Sequence, residues 1–177
     1  MIDPPLRLAL LVRNREPGRF GTVVADWFGR EVEQRDDFKL DLIDLARTPL
    51  TDLPARIDEA DAIVIVCPEY NHGYPGDLKT AIDAVRRPWY AKPVAFVVYG
   101  GRSGGLRAAE QLRQVFGELH AVTIRDTLSF HQATEPFTAA GSPADPTTTI
   151  AAATLLDQLA WWSHPLREAR TTTPYPS

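Results

Sequence analysis

Five short segments of the chain have the hydrophobic patterns of β-strands. Residues 6–12, 62–66 and 94–99 are apolar at nearly every position, which is typical of strands covered on both faces of a parallel sheet. Residues 38–45 and 122–130 alternate apolar and polar side chains, as half-exposed strands do. The pattern therefore predicts three interior strands and two edge strands.

Segments with an apolar stripe at helical spacing separate the predicted strands. After the third strand, Leu78, Ala81, Ile82 and Val85 recur at i, i+3, i+4 and i+7, which predicts an amphipathic helix. Similar stripes predict helices at about 20–34, 55–60, 106–119 and 150–162. Residues 164–177 are expected to form a tail.

The alternation of strands and helices predicts an α/β fold with a parallel sheet and right-handed crossovers. Strand order 2-1-3-4-5 places the apolar strands inside and the alternating strands at the edges, with helices on both faces. A chain of 177 residues is long enough for one sizeable core and short for two. We expect a single domain over residues 1–177, with its core at about 6–163.

Composition and charge argue against several classes of protein. The net charge of −4 is not the electrostatic footprint of a nucleic-acid binder, and no apolar run approaches the roughly 20 residues that span a bilayer. The single cysteine, Cys67, forms no internal disulfide, which fits a reducing compartment such as the cytoplasm. We interpret Cys67 as a small buried residue rather than a redox thiol. No metal-ligand spacing, GxGxxG or P-loop motif is present.

The loop after the first strand is rich in arginine. In strand order 2-1-3-4-5, the loops after strands 1, 3 and 4 meet at the point where the chain reverses direction across the sheet, and ligands bind there. Arg13, Arg15 and Arg19 precede a predicted helix, so they could form a phosphate cradle with the free N–H groups of that helix. A solvated arginine-rich turn is an equally open interpretation.

The loop after the third strand, residues 69–76, is polar and aromatic. Tyr70 and Tyr74 could cover a flat ring, and Asn71 or His72 could donate or accept hydrogen bonds. A tight connection with packing aromatics is the alternative, but we favour a functional loop because of its position and composition.

The loop after the fourth strand reads GGRSGG over residues 100–105. Its glycines would let the backbone approach a ligand closely. A flexible turn with Ser103 as the N-cap of the next helix is about as well supported by the sequence.

Two motifs carry a resemblance to a known family. They are the run Pro68-Glu69-Tyr70-Asn71-His72 with Pro75, Gly76, Leu78-Lys79 and Ala81-Ile82-Asp83, and the run from Tyr99 to Arg107. Together they resemble the NADPH-dependent FMN reductase family, which is flavodoxin-like and includes flavin, quinone, azo-dye and chromate reductases. The similarity covers most of residues 6–131.

The resemblance implies an FMN-dependent NAD(P)H oxidoreductase in which the flavin carries the chemistry and no side chain is catalytic. NADPH or NADH would pass hydride to flavin N5, and a flavin, quinone or similar small acceptor would then take its place in a ping-pong cycle. The family also implies a homodimer or a dimer of dimers, with no nucleic-acid or membrane partner.

The resemblance also implies roles for individual residues. The FMN phosphate would be held by Arg13, Arg15 and Arg19. The flavin ring would be lined by Pro68, Glu69, Tyr70 and Asn71, and its pyrimidine side would be held by Tyr99, Gly100, Gly101, Ser103 and Gly104. The substrate side would include His72, Tyr74 and His131.

The first loop departs from the family pattern. The family begins this loop with Gly-Ser-x-Arg, whereas this chain has Val12-Arg13-Asn14-Arg15 with Pro17 as an insertion. An arginine is larger than serine and reaches a phosphate from further away. The departure supports an alternative function, a flavin-binding family member recruited to a partner or pathway without reductase turnover. A one-electron carrier like flavodoxin ranks last, because the charge of −4 is only mildly acidic.

Overall fold

The computed structural model describes residues 4–13, 15–131 and 137–176. The strands are β1 (Leu6–Val12), β2 (Phe38–Asp44), β3 (Ala62–Pro68), β4 (Pro93–Gly100) and β5 (Val122–His131). The helices are α1 (Phe20–Glu33), α2 (Leu53–Glu59), α3 (Gly76–Asp83), α4 (Leu106–Glu118) and α5 (Pro146–Thr172), with a short 3₁₀ turn at Arg87–Trp89. Most observed bounds lie within two residues of the predicted ones.

In the described part of the chain, five strands form one parallel sheet in the order β2-β1-β3-β4-β5. The predicted topology is therefore confirmed. Every residue of β3 is buried, whereas β2 and β5 contain half-exposed positions. The physical reason is that a strand with neighbours and helices on all sides excludes water from both faces, and only apolar side chains tolerate that.

Helices cover both faces of the sheet. Val64 and Val66 of β3 point into a core formed with α1 and α5, and Ile63 and Ile65 point into a second core formed with α2, α3 and α4. The aromatic side chains Trp27 and Trp89 anchor the two cores, one on each face, and both are fully buried. This two-sided packing holds the carboxyl ends of β1, β3 and β4 rigidly side by side.

The last helix is longer than its pattern predicts. It begins after Asp145, whose carboxylate accepts a hydrogen bond from the Thr147 N–H, and it runs through Pro165 to Thr172. The prediction of a tail from residue 164 was wrong because contacts outside the helix support its end. Arg170 donates to the Ala91 carbonyl at 2.7 Å and so fixes the last turns of α5 to the segment that precedes β4. Within the described ranges, no helix is both long and apolar enough to cross a membrane.

Residues 131–146, after β5, are largely polar and contain proline and glycine, a composition that predicts a surface loop. Residues 132–136 of it lie outside the described residues. Phe137 is not a surface side chain: its ring packs edge-on against Phe20 and Trp27, at centroid distances of 5.6 and 6.2 Å. This part of the prediction is corrected, since Phe137 packs against the core formed with α1 and α5.

Candidate functional site

A cleft of about 550 Å³ lies at the carboxyl ends of β1, β3 and β4. This is the position where strand order reverses and where open α/β sheets bind ligands. The residues that line the cleft are Arg13, Glu16, Arg19, Phe20, Gly21, Pro68, Glu69, Tyr70, Tyr99, Gly100 and Gly101.

Arg13 connects two walls of the cleft. Its guanidinium forms an ion pair with Asp77 in the first turn of α3, with Nε 2.8 Å from one carboxylate oxygen. It also lies over the Tyr70 ring, with Cζ 5.3 Å from the ring centroid, and Nη1 is 3.4 Å from the Tyr70 hydroxyl. The hydrogen bond to Asp77 raises the pKa of Arg13 above its ordinary value, against the opposing effect of burial. Arg13 therefore brings a permanent positive charge to the cleft.

The other two arginines of this loop differ in position. Arg19 is exposed, lines the cleft at the start of α1 and pairs with Glu16 at 3.2 Å. Arg15 donates from Nε to Asp26 at 3.0 Å and lines a neighbouring depression. The structure thus brings Arg13 and Arg19 together in the cleft and places Arg15 beside it.

The loop after β3 forms a small hairpin. Tyr70 and Gly73 exchange backbone hydrogen bonds of 2.9 and 3.0 Å, and Asn71 and His72 lie at the tip with positive φ angles of 50° and 71°. The side chains of Asn71 and His72 are exposed and do not line the cleft, whereas the half-exposed ring of Tyr70 does. A short hairpin of this kind requires left-handed backbone, which Asn and His adopt more readily than most residues.

Two residues predicted on the substrate side lie near the cleft without lining it. Tyr74 packs against the core under α3 and α4. His131, at the end of β5, has Nδ1 3.2 Å from the Gly101 carbonyl oxygen. Their predicted substrate roles stay predictions.

The glycine loop after β4 forms the third wall. A Cβ on Gly104, whose φ is +60°, would lie 2.3 Å from Ser129 Oγ, so glycine is required there. A Cβ on Gly101 would meet no atom within 4 Å, so the space above this backbone is open. One glycine therefore fixes the loop against β5, and the other leaves room for a ligand.

Glu69 links the loop after β3 to the glycine loop after β4. Its carboxylate, 8% exposed, accepts hydrogen bonds from the Ser103 hydroxyl, the Arg107 N–H and Arg107 Nη1, the last at 3.3 Å. Burial would raise the pKa of Glu69, but these three donors outweigh it and hold the pKa below its ordinary value. Ser103 is not the N-cap of α4, because Gly105 occupies that position. The two side chains stabilise the shape of the loop.

The comparison with protein families is decisive for this site. The model of the NADPH-dependent FMN reductase family matches residues 6–135, which include all three walls of the cleft. The chain belongs to this family. The resemblance stated from the sequence is confirmed, and an oxidoreductase that uses FMN and a nicotinamide nucleotide is what the family comprises.

Relatives within the family include plant, yeast and bacterial proteins. An NADPH:quinone oxidoreductase of Arabidopsis thaliana is 35% identical over 169 residues, covering 83% of this chain and 86% of the relative. An NAD(P)H-dependent FMN reductase of Schizosaccharomyces pombe is 34% identical over 134 residues, covering 64% of this chain and 66% of the relative. The match to a Saccharomyces cerevisiae FMN reductase spans 30% of that protein.

Solved structures show the same fold. FerB, a flavoenzyme NAD(P)H:(acceptor) oxidoreductase from Paracoccus denitrificans, superposes with a TM-score of 0.74 at 22% identity, covering 90% of this chain and 98% of that one. A flavodoxin from the domain Archaea gives a TM-score of 0.64 at 13% identity, covering 90% and 99% of the two chains. The flavodoxin-like fold class is therefore confirmed.

The residues of this family member fit FMN in charge and in shape. The phosphate end has Arg13, Arg19 and the start of α1, where the N–H groups of Phe20 and Gly21 have no acceptor among the described residues. The ring end has Tyr70, Tyr99 and the open backbone at Gly101, a combination of flat side chains and accessible amides.

Four residues of the cleft or its rim were missed from the sequence: Glu16, Phe20, Gly21 and Asp77. Gly21 had a usable signal, because glycine is unfavourable inside a helix and is kept for a packing reason. A Cβ at this position would lie 2.1 Å from the Tyr99 hydroxyl oxygen, so Gly21 lets the Tyr99 ring lie against α1. From the sequence, Asp77 only suits the positive end of the dipole of α3, and its pairing with Arg13 could not be predicted because the two residues are 64 positions apart.

Proposed function

We propose that the protein is an FMN-dependent NAD(P)H oxidoreductase that reduces a small acceptor of the quinone or flavin class by a ping-pong cycle. The observation that carries this proposal is the cleft at the point where the strand order reverses, in a member of the FMN reductase family. Arginine side chains lie at one end of this cleft, and tyrosine rings and glycine backbone lie at the other. When bound, FMN supplies the redox chemistry, accepting hydride from the nicotinamide and passing reducing equivalents to the acceptor.

The cationic end would hold the phosphate. Arg13, Arg19 and the α1 N-terminus supply charge and N–H donors on one side of the cleft. Arg15 was also predicted to bind phosphate, and its ion pair with Asp26 supports an indirect part in which it shapes the loop. The proposal therefore assigns direct phosphate contact to Arg13 and Arg19.

The flat-walled end would orient the ring. Tyr70 is 51% exposed, so its ring is available to cover a planar ligand, and the backbone at Gly100 and Gly101 forms the opposite wall. Glu69 and Ser103 act indirectly by holding the loop in place. These contacts support orientation of the ring with one face left accessible to solvent.

Proton transfer by a side chain is not required. Burial raises the pKa of the Cys67 thiol to about 12, so it carries no nucleophilic thiolate near neutral pH. Burial also raises the pKa of Tyr99, whose phenol therefore stays neutral. With one accessible face, nicotinamide and acceptor would use the same space in turn, which is the basis of the ping-pong order.

We further propose a cytoplasmic homodimer, as the family resemblance implies. The exposed Tyr70 ring at the edge of the cleft supports this, because a second chain could complete the open side. Light scattering on the FMN-loaded protein measures the mass directly, and a monomer at working concentration contradicts the dimer.

Initial-rate kinetics test the proposed activity. Rates are measured with NADPH or NADH against a soluble quinone, with FMN present and absent. We expect FMN-dependent turnover and parallel double-reciprocal lines, the pattern of a ping-pong cycle. Lines that intersect contradict the ping-pong order, and no turnover with any acceptor contradicts the enzyme.

A second candidate function is flavin binding without turnover. The observation that favours it is the engagement of Arg13 by Asp77, which withdraws part of the positive charge from the phosphate end. Retention of FMN with no reduction by either nicotinamide nucleotide is the result that selects this function.

A further inference from the structure

A depression of about 640 Å³ lies beside the flavin cleft, at the carboxyl ends of β1 and β2. The last residues of these two strands, Val12 and Asp44, are neighbours in the sheet. The volume is within the range of about 300–1,000 Å³ that is typical of small-molecule sites. The FMN contacts proposed above do not extend into this depression.

A single loop separates the depression from the cleft. Glu16 and Arg19 of this loop line the phosphate end of the cleft. Arg15, Pro17 and Gly18 of the same loop line the depression. Gly18 has a φ of +78°, and a Cβ there would meet no atom within 4 Å, so the backbone between the two cavities is uncovered. A ligand whose phosphate lies in the cleft could therefore continue past Gly18 into the depression.

The lining of the depression combines apolar surface with polar groups. Its apolar side chains are Pro17, Val23 and Leu42, of which Val23 and Leu42 are half-exposed. The hydroxyl residues Thr22 and Thr48 also line it. Sites for small molecules have this character, because apolar surface holds a ring and a few polar groups orient it.

Asp44 is the buried polar group of the depression. It is 9% exposed, and one carboxylate oxygen accepts from the Ala46 N–H at 3.1 Å, while the other lies 3.5 Å from Arg47 Nε. A carboxylate can accept about four hydrogen bonds, so Asp44 retains acceptor capacity. In dinucleotide-binding α/β folds, a carboxylate after the first strand–helix unit accepts a hydrogen bond from the ribose of the adenosine group. Asp44 has the same relative place, at the end of the strand that follows α1.

The charges of the depression are balanced. Arg15 donates from Nε to Asp26 at 3.0 Å, and Arg47 is paired with Asp44. Two cations therefore face two anions, and a free oxyanion would gain little here. A neutral group with a flat ring and hydroxyls, such as a nucleoside, fits this lining better.

We propose that the depression binds the adenosine group of FAD, whose flavin and phosphate groups occupy the cleft, so that the protein takes FAD as well as FMN. The inference rests on the proposed function, because the adenosine is placed by continuity with the phosphate end of the cleft. A nicotinamide nucleotide also has an adenosine group, but its nicotinamide must reach the ring end. The depression adjoins the opposite end, so FAD is the source that the geometry favours.

The test is calorimetric titration of the flavin-free, full-length chain with FMN and with FAD. We expect each flavin to bind with a stoichiometry of one per chain. In Asp44→Asn, FAD should bind about tenfold more weakly, the loss expected for one hydrogen bond to a charged group, while FMN affinity stays unchanged. Asp41→Asn is the matched control, because Asp41 lies on the same strand, pairs with Arg56 and does not line the depression. It should leave both affinities unchanged.

Val23→Gln is a second variant, which puts a longer polar side chain into the depression and should weaken FAD binding alone. Its control is Val115→Gln, at a half-exposed valine of α4 that lines neither cavity. FMN binding without FAD binding, no effect of Asp44→Asn on FAD, or an equal effect on both flavins overturns the proposal.

A further measurement separates the two sources of adenosine. If FMN-loaded Asp44→Asn has a raised KM for NADPH while FAD affinity is unchanged, the adenosine belongs to the nicotinamide nucleotide and the proposal is overturned. A chain that binds neither flavin contradicts the proposed function itself, and this inference with it. Because FMN is titrated separately, that failure is distinguishable from a failure of the adenosine site alone.

Discussion

The guanidinium of Arg13 and the carboxylate of Asp77 form an ion pair of 2.8 Å that joins the loop after β1 to the first turn of α3. Arg13 stands where the resemblance to the family leads us to expect serine, and Asp77 pairs with this additional positive charge. Because Asp77 is 57% exposed, the pair is worth little in stability. Its consequence lies in how much positive charge the cleft presents to a phosphate.

Replacing Asp77 should strengthen flavin mononucleotide binding. In Asp77→Asn the carboxylate no longer competes for Arg13, so we expect the FMN dissociation constant to fall by a factor of about 3 to 10, as for one partly exposed charge interaction. Riboflavin, which has no phosphate, should bind with unchanged affinity. Fluorescence quenching measures both constants, and Asp83→Asn is the control because Asp83 pairs with Lys79 on the same helix. An equal effect on riboflavin contradicts this explanation.

Removing the charge of Glu69 should loosen the glycine loop. Glu69→Gln leaves the donors of Ser103 and Arg107 with a weaker acceptor, so we expect the free energy of unfolding to fall by about 1–3 kcal/mol. Denaturant unfolding measures it. Glu110→Gln is the control, since Glu110 is exposed and pairs only with Arg113 among the described residues. Similar losses in both variants contradict the special role of Glu69.

The carboxylate of Glu69 also predicts a loss of stability in acid. Its pKa in the folded protein lies below the ordinary value of 4.5, so its contribution is present above that pH and is lost as the pH falls through the folded-state pKa. The difference in unfolding free energy between wild type and Glu69→Gln should therefore shrink below about pH 4.5. A constant difference down to acid pH is the contrary result.

Two glycines of one loop should respond differently to alanine. Gly104→Ala places a Cβ 2.3 Å from Ser129 Oγ in left-handed backbone, so we expect a loss of about 1–3 kcal/mol in unfolding free energy. Gly101→Ala meets no atom and should leave stability unchanged while weakening FMN binding, because the methyl group enters the ring end of the cleft. Thermal unfolding and flavin titration of both variants measure these effects. Unchanged FMN affinity in Gly101→Ala contradicts the placement of the ring.

Buried Lys92 predicts a gain in stability at alkaline pH. Burial, and to a smaller extent the charge of Arg170, lowers its pKa from 10.5 to about 8 against the opposing carboxylates of Asp58 and Asp61. The unfolded state therefore binds more protons between these values, and stability should rise from pH 8 to 10.5, by at most about 3 kcal/mol. Measured in phosphate-free buffer, Lys92→Met should lack this rise. A parallel rise in the variant assigns it to other groups.

Local patterns predicted the strands and their order, because buried strands and half-exposed strands have different hydrophobic patterns in the sequence. The continuous apolar run that begins at Ala62 can only be covered on both faces, and the alternation in β2 and β5 can only lie at edges. The end of α5 could not be predicted in this way, since Arg170 is held there by Asp61, 109 residues away.

The sequence predicted which loops form the candidate site, but it predicted few of the contacts between their side chains. Loop positions follow from topology, so Arg13, Tyr70 and Gly101 were correctly expected near one another. Which side chain pairs with which could not be read from the sequence. Glu69 and Ser103 were expected to touch a ligand, and the structure shows them bound to each other.

The most direct test of the account is the visible absorption spectrum of the protein after incubation with FMN and desalting, followed by anaerobic addition of NADPH. We predict a yellow protein that retains the flavin and loses its absorption on reduction, which requires both the phosphate end and the ring end of the cleft. A colourless protein contradicts the assignment of the cleft to FMN. A yellow protein that neither NADPH nor NADH bleaches contradicts the reductase and leaves flavin binding as the function.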